Sequence, residues 1–247
     1  MVTINSKLKL ISGLHIGGSD DSMKIGGVDS PVIKRDVFVN DNGKIGFGEG
    51  FDRAISEPYI PGSSLKGKVR SLLEHYFRLI DPTGDGKVVD GGSKFGEKQE
   101  RNLIIKLFGE SAGENKSANI TRVIFRDCFI TNDVRKAYIE NRINLSEEKV
   151  ENVIDRKTGT TINGGLRFIE RVPSAVEFEF DLTIRIFEND DKELFENTIK
   201  LGLKLLELDA LGGSGSRGYG KVAFSDITES LKNLQIKVEN GLKNETN

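Results

Sequence analysis

The residue types best suited to chemistry are concentrated near the end of the chain, in residues 211–224 (LGGSGSRGYGKVAF). Residues 212–218 contain four glycines and two serines. Glycine lets main-chain N–H groups come close to a ligand, and successive N–H groups of this kind form a concave anion-binding site. Arg217 and Lys221 add positive charge, and Tyr219 adds a flat aromatic face. This stretch therefore predicts a site for an anionic ligand.

Three better-known glycine motifs fit this stretch poorly. Gly213, Gly215 and Gly218 match G-x-G-x-x-G, but that dinucleotide fingerprint follows a strand and opens a helix, whereas this stretch follows a helical pattern and enters a strand. Val222 stands where a P-loop requires Ser or Thr, and neither serine has the flanking glycines of a nucleophile elbow. A flexible connection between a helix and a strand remains the alternative.

A single carboxylate is the second candidate. Asp29 lies in residues 26–34 (GGVDSPVIK), a loop-like segment, and its alternative interpretation is a turn-forming aspartate before Ser30 and Pro31. His15, which follows the first predicted strand, is either a general base or an ordinary histidine at a strand end.

The start of a predicted helix is the third candidate, in residues 58–70 (PYIPGSSLKGKVR). Ser63 or Ser64 is the predicted N-cap. Helix starts bind phosphates because their first N–H groups are unpaired and the macrodipole is positive there. The first turns also carry three basic residues: Lys66, Lys68 and Arg70. The alternative is a capped surface helix with solvated lysines.

Composition excludes several classes of protein. The 247 residues carry a formal net charge of −2, which argues against a free, strongly basic nucleic-acid binder but permits a basic groove on one face. The sequence contains one cysteine, Cys128, and two histidines. These numbers exclude a disulfide framework, a cysteine zinc cluster and a His-rich metal site. Neither a membrane-spanning apolar run nor a signal peptide is visible, so we predict a cytoplasmic protein.

The elements that must position these candidates follow a recognisable order. Periodicity predicts strands at 3–14, 120–131, 175–187 and 221–224, and helices that begin near 63 and at 190. Strand, helix, strand, strand, helix, strand is the split βαβ order of an α+β, ferredoxin-like fold. We predict one domain, 1–235, with irregular insertions at 19–57 and 81–118, an extended hairpin arm at 132–174, and a polar C-terminal tail, 236–247, that frays.

Six stretches, taken in order, resemble the RAMP superfamily and, within it, the backbone subunits of type III-A (Csm) CRISPR interference complexes. They are GLHIGGSDD (13–21), GGVDSPVIK (26–34), PYIPGSSLKGKVRSLLE (58–74), RVIFRDCF (122–129), ENVIDRKTG (151–159) and LKLLELDALGGSGSRGYGKVAF (203–224). The segment between Lys34 and Pro58 is longer than the resemblance leads us to expect, and an acidic insertion follows Asp81.

The resemblance implies a core like that of the RNA-recognition motif, and a subunit that polymerises along a CRISPR RNA. It also implies cleavage of the complementary target RNA at regular intervals with Mg²⁺ or another divalent cation. Asp29 matches the aspartate on which cleavage depends and is the implied metal site, as base, metal ligand or both. The implied partners are the CRISPR RNA, the target RNA, further copies of the chain and the other Csm subunits.

The implied contacts form two sets. RNA contacts are implied for His15, Lys34, Ser63, Ser64, Lys66, Lys68, Arg70, Arg126, Arg156, Gly213, Ser214, Gly215, Ser216, Arg217 and Tyr219. The hairpin arm is implied to be a thumb that displaces a nucleotide of the guide–target duplex, with Ile154, Arg167, Phe168 and Arg171. Two other functions stay open, a structural backbone subunit without nuclease activity and a standalone RAMP endonuclease that processes precursor RNA.

Overall fold

The computed structural model describes residues 1–18, 30–81, 89–90, 92–110, 120–227 and 229–244. Its strands are β1 (Val2–Leu10), β2 (Lys34–Val39), β3 (Arg53–Ile60), β4 (Val123–Phe125), β5 (Cys128–Phe129), β6 (Glu147–Glu151), β7 (Arg167–Arg171), β8 (Glu177–Ile184) and β9 (Val222–Phe224). Its α-helices are α1 (Gly62–Tyr76), α2 (Lys98–Phe108), α3 (Asn132–Ile139), α4 (Lys192–Leu208) and α5 (Leu231–Asn244). None of the helices in these ranges is long and apolar enough to cross a membrane.

The central sheet has the strand order β4-β8-β1-β9, and all its pairs are antiparallel. In chain order, α1 comes after β1 and before β4, and β8 lies between these two strands in the sheet. In the same way, α4 comes after β8 and before β9, and β1 lies between those two strands. This is the split βαβ arrangement, so the predicted ferredoxin-like α+β class is confirmed. Alternation fixes the faces, because Leu8 and Leu10 of β1 are buried while Lys7 and Lys9 are exposed.

Helices α1 and α4 pack against each other at a glycine. A Cβ atom on Gly202 of α4 would lie 2.7 Å from Val69 Cγ1 of α1, so only glycine permits this approach. Helix α5 packs on α4 and corrects the prediction that the tail frays. Leu234, Val238 and Leu242 recur every four residues and are buried, which gives α5 an apolar stripe.

A second sheet, in the order β2-β3-β5, corrects two further predictions. Most of the segment 34–57, predicted as an irregular insertion, is the antiparallel hairpin of β2 and β3. The predicted strand 120–131 divides in two, because β4 pairs with β8 and β5 pairs with β3. The predicted arm 132–174 likewise begins as a helix, α3, before its hairpin of β6 and β7.

A buried ion-pair network joins the second sheet to α3. The Glu57 carboxylate is fully buried and accepts hydrogen bonds from Arg135 Nε at 2.6 Å and from Arg35 Nε at 2.9 Å. Arg135 also donates to the carbonyl oxygen of Gly43 at 2.9 Å. Since a buried charge is tolerated only when it is paired, this network fixes the β2–β3 hairpin on α3.

The start of α1 differs from the prediction. Pro61, rather than Ser63 or Ser64, is the N-cap residue, and no side chain of the helix caps it. Asp127 Oδ1 accepts the N–H of Gly62 at 2.7 Å, so the cap comes from the link between β4 and β5. A Cβ atom on Gly62 would lie 2.4 Å from the carbonyl oxygen of Phe125, which explains why the helix begins on a glycine.

Candidate nucleic-acid interface

Four segments meet beyond the end of β1, and we call this meeting point the junction. They are 11–18, 30–34, the hairpin base 167–172 and the glycine loop 211–221. Main-chain N–H to O bonds join them: Leu14 to Val172 (2.9 Å), Ile33 to Ile16 (2.9 Å), Glu170 to Ser30 (3.1 Å), Gly213 to His15 (2.9 Å) and Gly220 to Gly13 (2.9 Å). Residues far apart in the sequence therefore form one rigid surface.

Two glycines of the loop are required by packing. Gly220 has φ +70°, and a Cβ atom there would lie 1.9 Å from the carbonyl oxygen of Leu211. Gly212 has φ +75°, and its Cβ would lie 2.3 Å from the carbonyl oxygen of His15. Gly212 thus packs the loop against segment 11–18, and Gly220 packs the end of the loop against its start, so part of the glycine content is structural.

The outer part of the loop carries the residues of the predicted anion site. Ser214 has a left-handed conformation (φ 62°), and a short 3-10 turn, Gly215–Arg217, follows it. Within the described ranges, the N–H groups of Ser214, Gly215 and Ser216 donate to no other group. Gly213, Ser216 and Arg217 are exposed. Successive unpaired N–H groups beside a guanidinium suit a phosphate.

Tyr219 does not have the role that the sequence predicts. Its side chain is 1% exposed, and its hydroxyl donates to Glu151 Oε1 at 2.9 Å. The Lys149 ammonium lies 4.3 Å from the ring centre. Burial and the bond to Glu151 raise the pKa of Tyr219. The ring joins the loop to the hairpin, and no face of it is left for a base.

His15 is held between the hairpin and the chain next to Asp29. Its Nδ1 donates to the carbonyl oxygen of Glu170 at 2.7 Å, and its Nε2 lies 3.2 Å from Ser30 Oγ. Asp29 itself, the predicted catalytic and metal-binding residue, lies outside the described residues. His15, predicted to contact RNA, is thus part of the junction.

Glu170 organises the segment 30–34. Its carboxylate accepts the N–H of Val32 at 2.9 Å and pairs with the Lys34 ammonium. Burial alone would raise the pKa of Glu170, but the bonds from Lys34 and Val32 outweigh it and hold the pKa below its usual value. Lys34 is predicted to contact RNA. Its side chain is 31% exposed and already pairs with Glu170.

The lowered pKa of Glu170 predicts a loss of stability in acid. A carboxylate whose pKa is lower in the folded state stabilises the fold at pH values above its unfolded-state pKa, which is about 4.3 for Glu. This stabilisation disappears as the pH falls through the folded-state pKa. Glu170→Gln should therefore be less stable than the wild type at pH 7, and the difference should shrink below about pH 4. Urea unfolding across this range measures it. Glu148→Gln, an exposed acid opposite Glu170 in the hairpin, is the control and should show no such narrowing.

The basic residues of α1 divide into two groups. Lys68 Nζ lies 2.7 Å from Asp209 Oδ2, just before the glycine loop, so the helix and the loop are neighbours. Lys66 is half-buried, and burial and the charge of Arg70 lower its pKa. Arg70 is 11% exposed and bonds Glu74 and the carbonyl oxygens of Gly109 and Val89, which favours a structural role over the predicted contact with RNA.

Ser63 is exposed and Ser64 is half-buried in the first turn of α1.

Two other residues predicted to contact RNA lie outside the junction and outside α1. Arg126 follows β4 at the edge of the central sheet, with its Nε 3.7 Å from Asp181 Oδ2, and Arg156 is exposed in the turn at the hairpin tip. The structure does not join either of them to the junction by a described contact.

The hairpin of β6 and β7 presents apolar side chains to solvent. They are Val150, Val153, Ile154, Ile162 and Leu166, which are 51, 40, 60, 44 and 49% exposed. Of the other predicted thumb residues, Arg167 is exposed, Phe168 is half-buried, and Arg171 pairs with Glu147 at 2.5 Å beside Tyr219. The arm therefore exposes apolar side chains along its length, ends in a polar turn and is tied to the glycine loop at its base; its role as a thumb stays a prediction.

Residues suited to metal binding or thiol chemistry are not gathered in the described part of the chain. No group of three or more His, Cys, Asp or Glu side chains there could hold a metal ion. Cys128 is fully buried, and burial raises the pKa of its thiol to about 12. The predicted metal site at Asp29 lies outside the described residues and stays a prediction.

Sequence reasoning missed the two acids that hold the junction together, Glu151 and Glu170. Both lie next to residues selected for other reasons, one in ENVIDRKTG and one between Phe168 and Arg171. Alternation within the hairpin could have shown which face they occupy, but not their partners.

The split βαβ core and its glycine loop define a RAMP protein. Residues 7–223 match the model of the RAMP superfamily, and the chain belongs to that superfamily.

Curated relatives narrow this class. The chain is 42% identical over 226 residues to the CRISPR system Cms endoribonuclease Csm3 of Methanocaldococcus jannaschii, an alignment that covers 92% of this chain and 79% of the relative. It is 38% identical over 245 residues to the Streptococcus thermophilus protein of the same name, which covers 98% and 96%. The Methanothermobacter thermautotrophicus protein of that name is 34% identical over 237 residues, covering 91% and 83%.

Proposed function

We propose that this chain is a CRISPR RNA-binding backbone subunit of a type III-A effector complex, which cleaves complementary target RNA at regular intervals. The relatives named above are endoribonucleases of a CRISPR system, which supports an enzyme rather than an inert scaffold. The observation that carries the proposal is the junction. There, N–H groups of the glycine loop that have no partner among the described residues lie beside Arg217 and next to the base of a hairpin with exposed apolar side chains.

Guide binding at the junction would be independent of sequence. Main-chain N–H groups and Arg217 contact phosphates, and phosphate contacts position a strand without reading its bases. This is what a subunit that serves many guides requires. Each phosphate neutralised on a single strand contributes a salt slope of about −0.7, so copies assembled along one guide would gain affinity by repetition.

The hairpin would act as the thumb. Removing a base from a stack costs a few kcal/mol. Ile154 and its exposed apolar neighbours can offset this cost by covering the opened step. Because Tyr219 and Glu151 tie the hairpin base to the glycine loop, the wedge would keep a fixed distance from the phosphates that the loop holds.

Cleavage would depend on Asp29 with a divalent cation, Mg²⁺ or a similar ion. A single carboxylate holds Mg²⁺ only together with waters and substrate oxygens, so Asp29 and RNA phosphates would form the site. When bound, the ion stabilises negative charge at the phosphate. The chain's own contribution is to orient the RNA strand, for which the rigid junction is suited.

Reconstitution tests this function. The chain is assembled with the other Csm subunits and a guide, and an end-labelled complementary RNA is added with Mg²⁺. We expect evenly spaced products that require the guide and do not form from a non-complementary RNA. An absence of products would favour an inert backbone subunit, and cleavage of precursor repeat RNA by the isolated chain would favour a processing enzyme.

A further inference from the structure

Arg217, the basic residue of the glycine loop, already has an anionic partner in the RNA-free chain. Its Nη1 lies 2.7 Å from Glu151 Oε2, at the end of β6, and its Nη2 donates to Ser214 Oγ. The guanidinium is thus folded back beside residues 214–216, whose N–H groups have no partner in the described part of the chain. Among the described residues, Glu151 is the acid that contacts this loop.

The two oxygens of Glu151 have unequal surroundings. Oε1 accepts the buried Tyr219 hydroxyl at 2.9 Å and lies 3.7 Å from Lys149 Nζ, whereas Oε2 faces Arg217. The side chain of Glu151 is 14% exposed, while that of Arg217 is 51% exposed. Glu151 is therefore fixed from within the fold, and Arg217 is the partner that can move.

We propose that Glu151 competes with RNA phosphate for Arg217 and thereby weakens the binding of RNA that reaches the glycine loop alone. The proposal rests on the RNA-binding function proposed above. A carboxylate and a phosphate both accept the planar donors of a guanidinium, so they exclude each other at Arg217. An exposed ion pair is weak, so a strand that also engages the rest of the junction can displace it.

When RNA phosphate displaces Glu151 from Arg217, the Glu151 carboxylate would still have partners. After Arg217 has moved away, the Tyr219 hydroxyl still donates to the other oxygen of Glu151, and the Lys149 ammonium remains 3.7 Å from it. The unfavourable step is thus small and is repeated at every copy along a guide. An unfavourable step of this kind makes binding specific. RNA that contacts only the glycine loop has no other contacts to offset the lost ion pair, whereas a strand that engages the whole junction does.

Binding of a short fluorescent single-stranded RNA to the full-length chain, measured over a range of salt, tests the proposal. Glu151→Gln should bind about 3- to 5-fold more tightly than the wild type, the factor that an exposed ion pair represents. The salt slope should steepen by up to about 0.7, the value of one further phosphate contact. Gln retains an oxygen for the Tyr219 hydroxyl, and thermal unfolding shows whether the variant is folded.

Glu229→Gln is the matched control. Glu229→Gln changes the net charge by the same amount as Glu151→Gln, but Glu229 pairs with Lys237 and Lys200, away from the loop. The affinity of the Glu229→Gln variant for RNA should therefore stay at the wild-type value. An equal effect of the two variants would overturn the proposal, because net charge alone would then explain the gain.

A double variant separates this proposal from the proposed function. If the loop binds RNA, Arg217→Ala weakens binding, and adding Glu151→Gln to it gives no gain. A gain that persists without Arg217 would overturn the competition. Weaker binding by Arg217→Ala without tighter binding by Glu151→Gln would overturn the competition alone. No effect of Arg217→Ala on RNA binding would overturn the RNA site at this loop as well.

Discussion

Asp29→Ala should reduce target cleavage by the assembled complex at least about 100-fold, the lower end of what a positioned acid–base group contributes. Binding of the guide and of the target should stay at wild-type levels. The reason is that phosphates would be held by the glycine loop and α1, whereas Asp29 is the residue to which the family resemblance assigns cleavage. Single-turnover cleavage and gel-shift binding of the same preparations measure the two quantities.

Asp21→Ala is the matched control for this variant, because it removes a carboxylate from the same N-terminal part of the chain. It should retain the full ladder of products. Wild-type complex treated with a chelator should behave like Asp29→Ala, and added Mg²⁺ should restore only the wild type. A ladder from Asp29→Ala equal to that of the wild type would refute the site assignment while leaving RNA binding intact.

Gly220→Ala should lower the free energy of unfolding by about 2–5 kcal/mol. The left-handed conformation costs a residue with a Cβ roughly 1–2 kcal/mol, and forcing extra atoms into a packed site costs about 1–3 kcal/mol more. The second cost applies because the new Cβ would lie 1.9 Å from the carbonyl oxygen of Leu211. Thermal unfolding should show a midpoint about 5–15 °C lower.

Gly218→Ala isolates the first of these costs. Gly218 also has a left-handed conformation (φ +85°), but a Cβ there would meet no atom within 4 Å. It should therefore lose only about 1–2 kcal/mol. Equal losses for the two variants would show that the loop accommodates a Cβ atom at position 220 and that packing against Leu211 does not require glycine there.

Local patterns were sufficient to predict the core. Alternation in β1 and β8 and the helical spacing of α1 and α4 are properties of neighbouring residues, so the order of elements and the ferredoxin-like class follow from the sequence. The apolar spacing of Leu234, Val238 and Leu242 carried the same kind of signal for α5. The polar composition around it led to the wrong prediction of a frayed tail.

The sequence by itself determined which residues the glycine loop contains, where it lies between α4 and β9, and the superfamily to which the chain belongs. Only the tertiary structure decided which of its side chains remain available. Tyr219 is buried against Glu151, 68 residues away, and Arg70 is enclosed by main-chain oxygens of other segments. Burial and ion pairing are set by residues that folding brings together from distant positions, and residue type and spacing along the chain do not specify those partners.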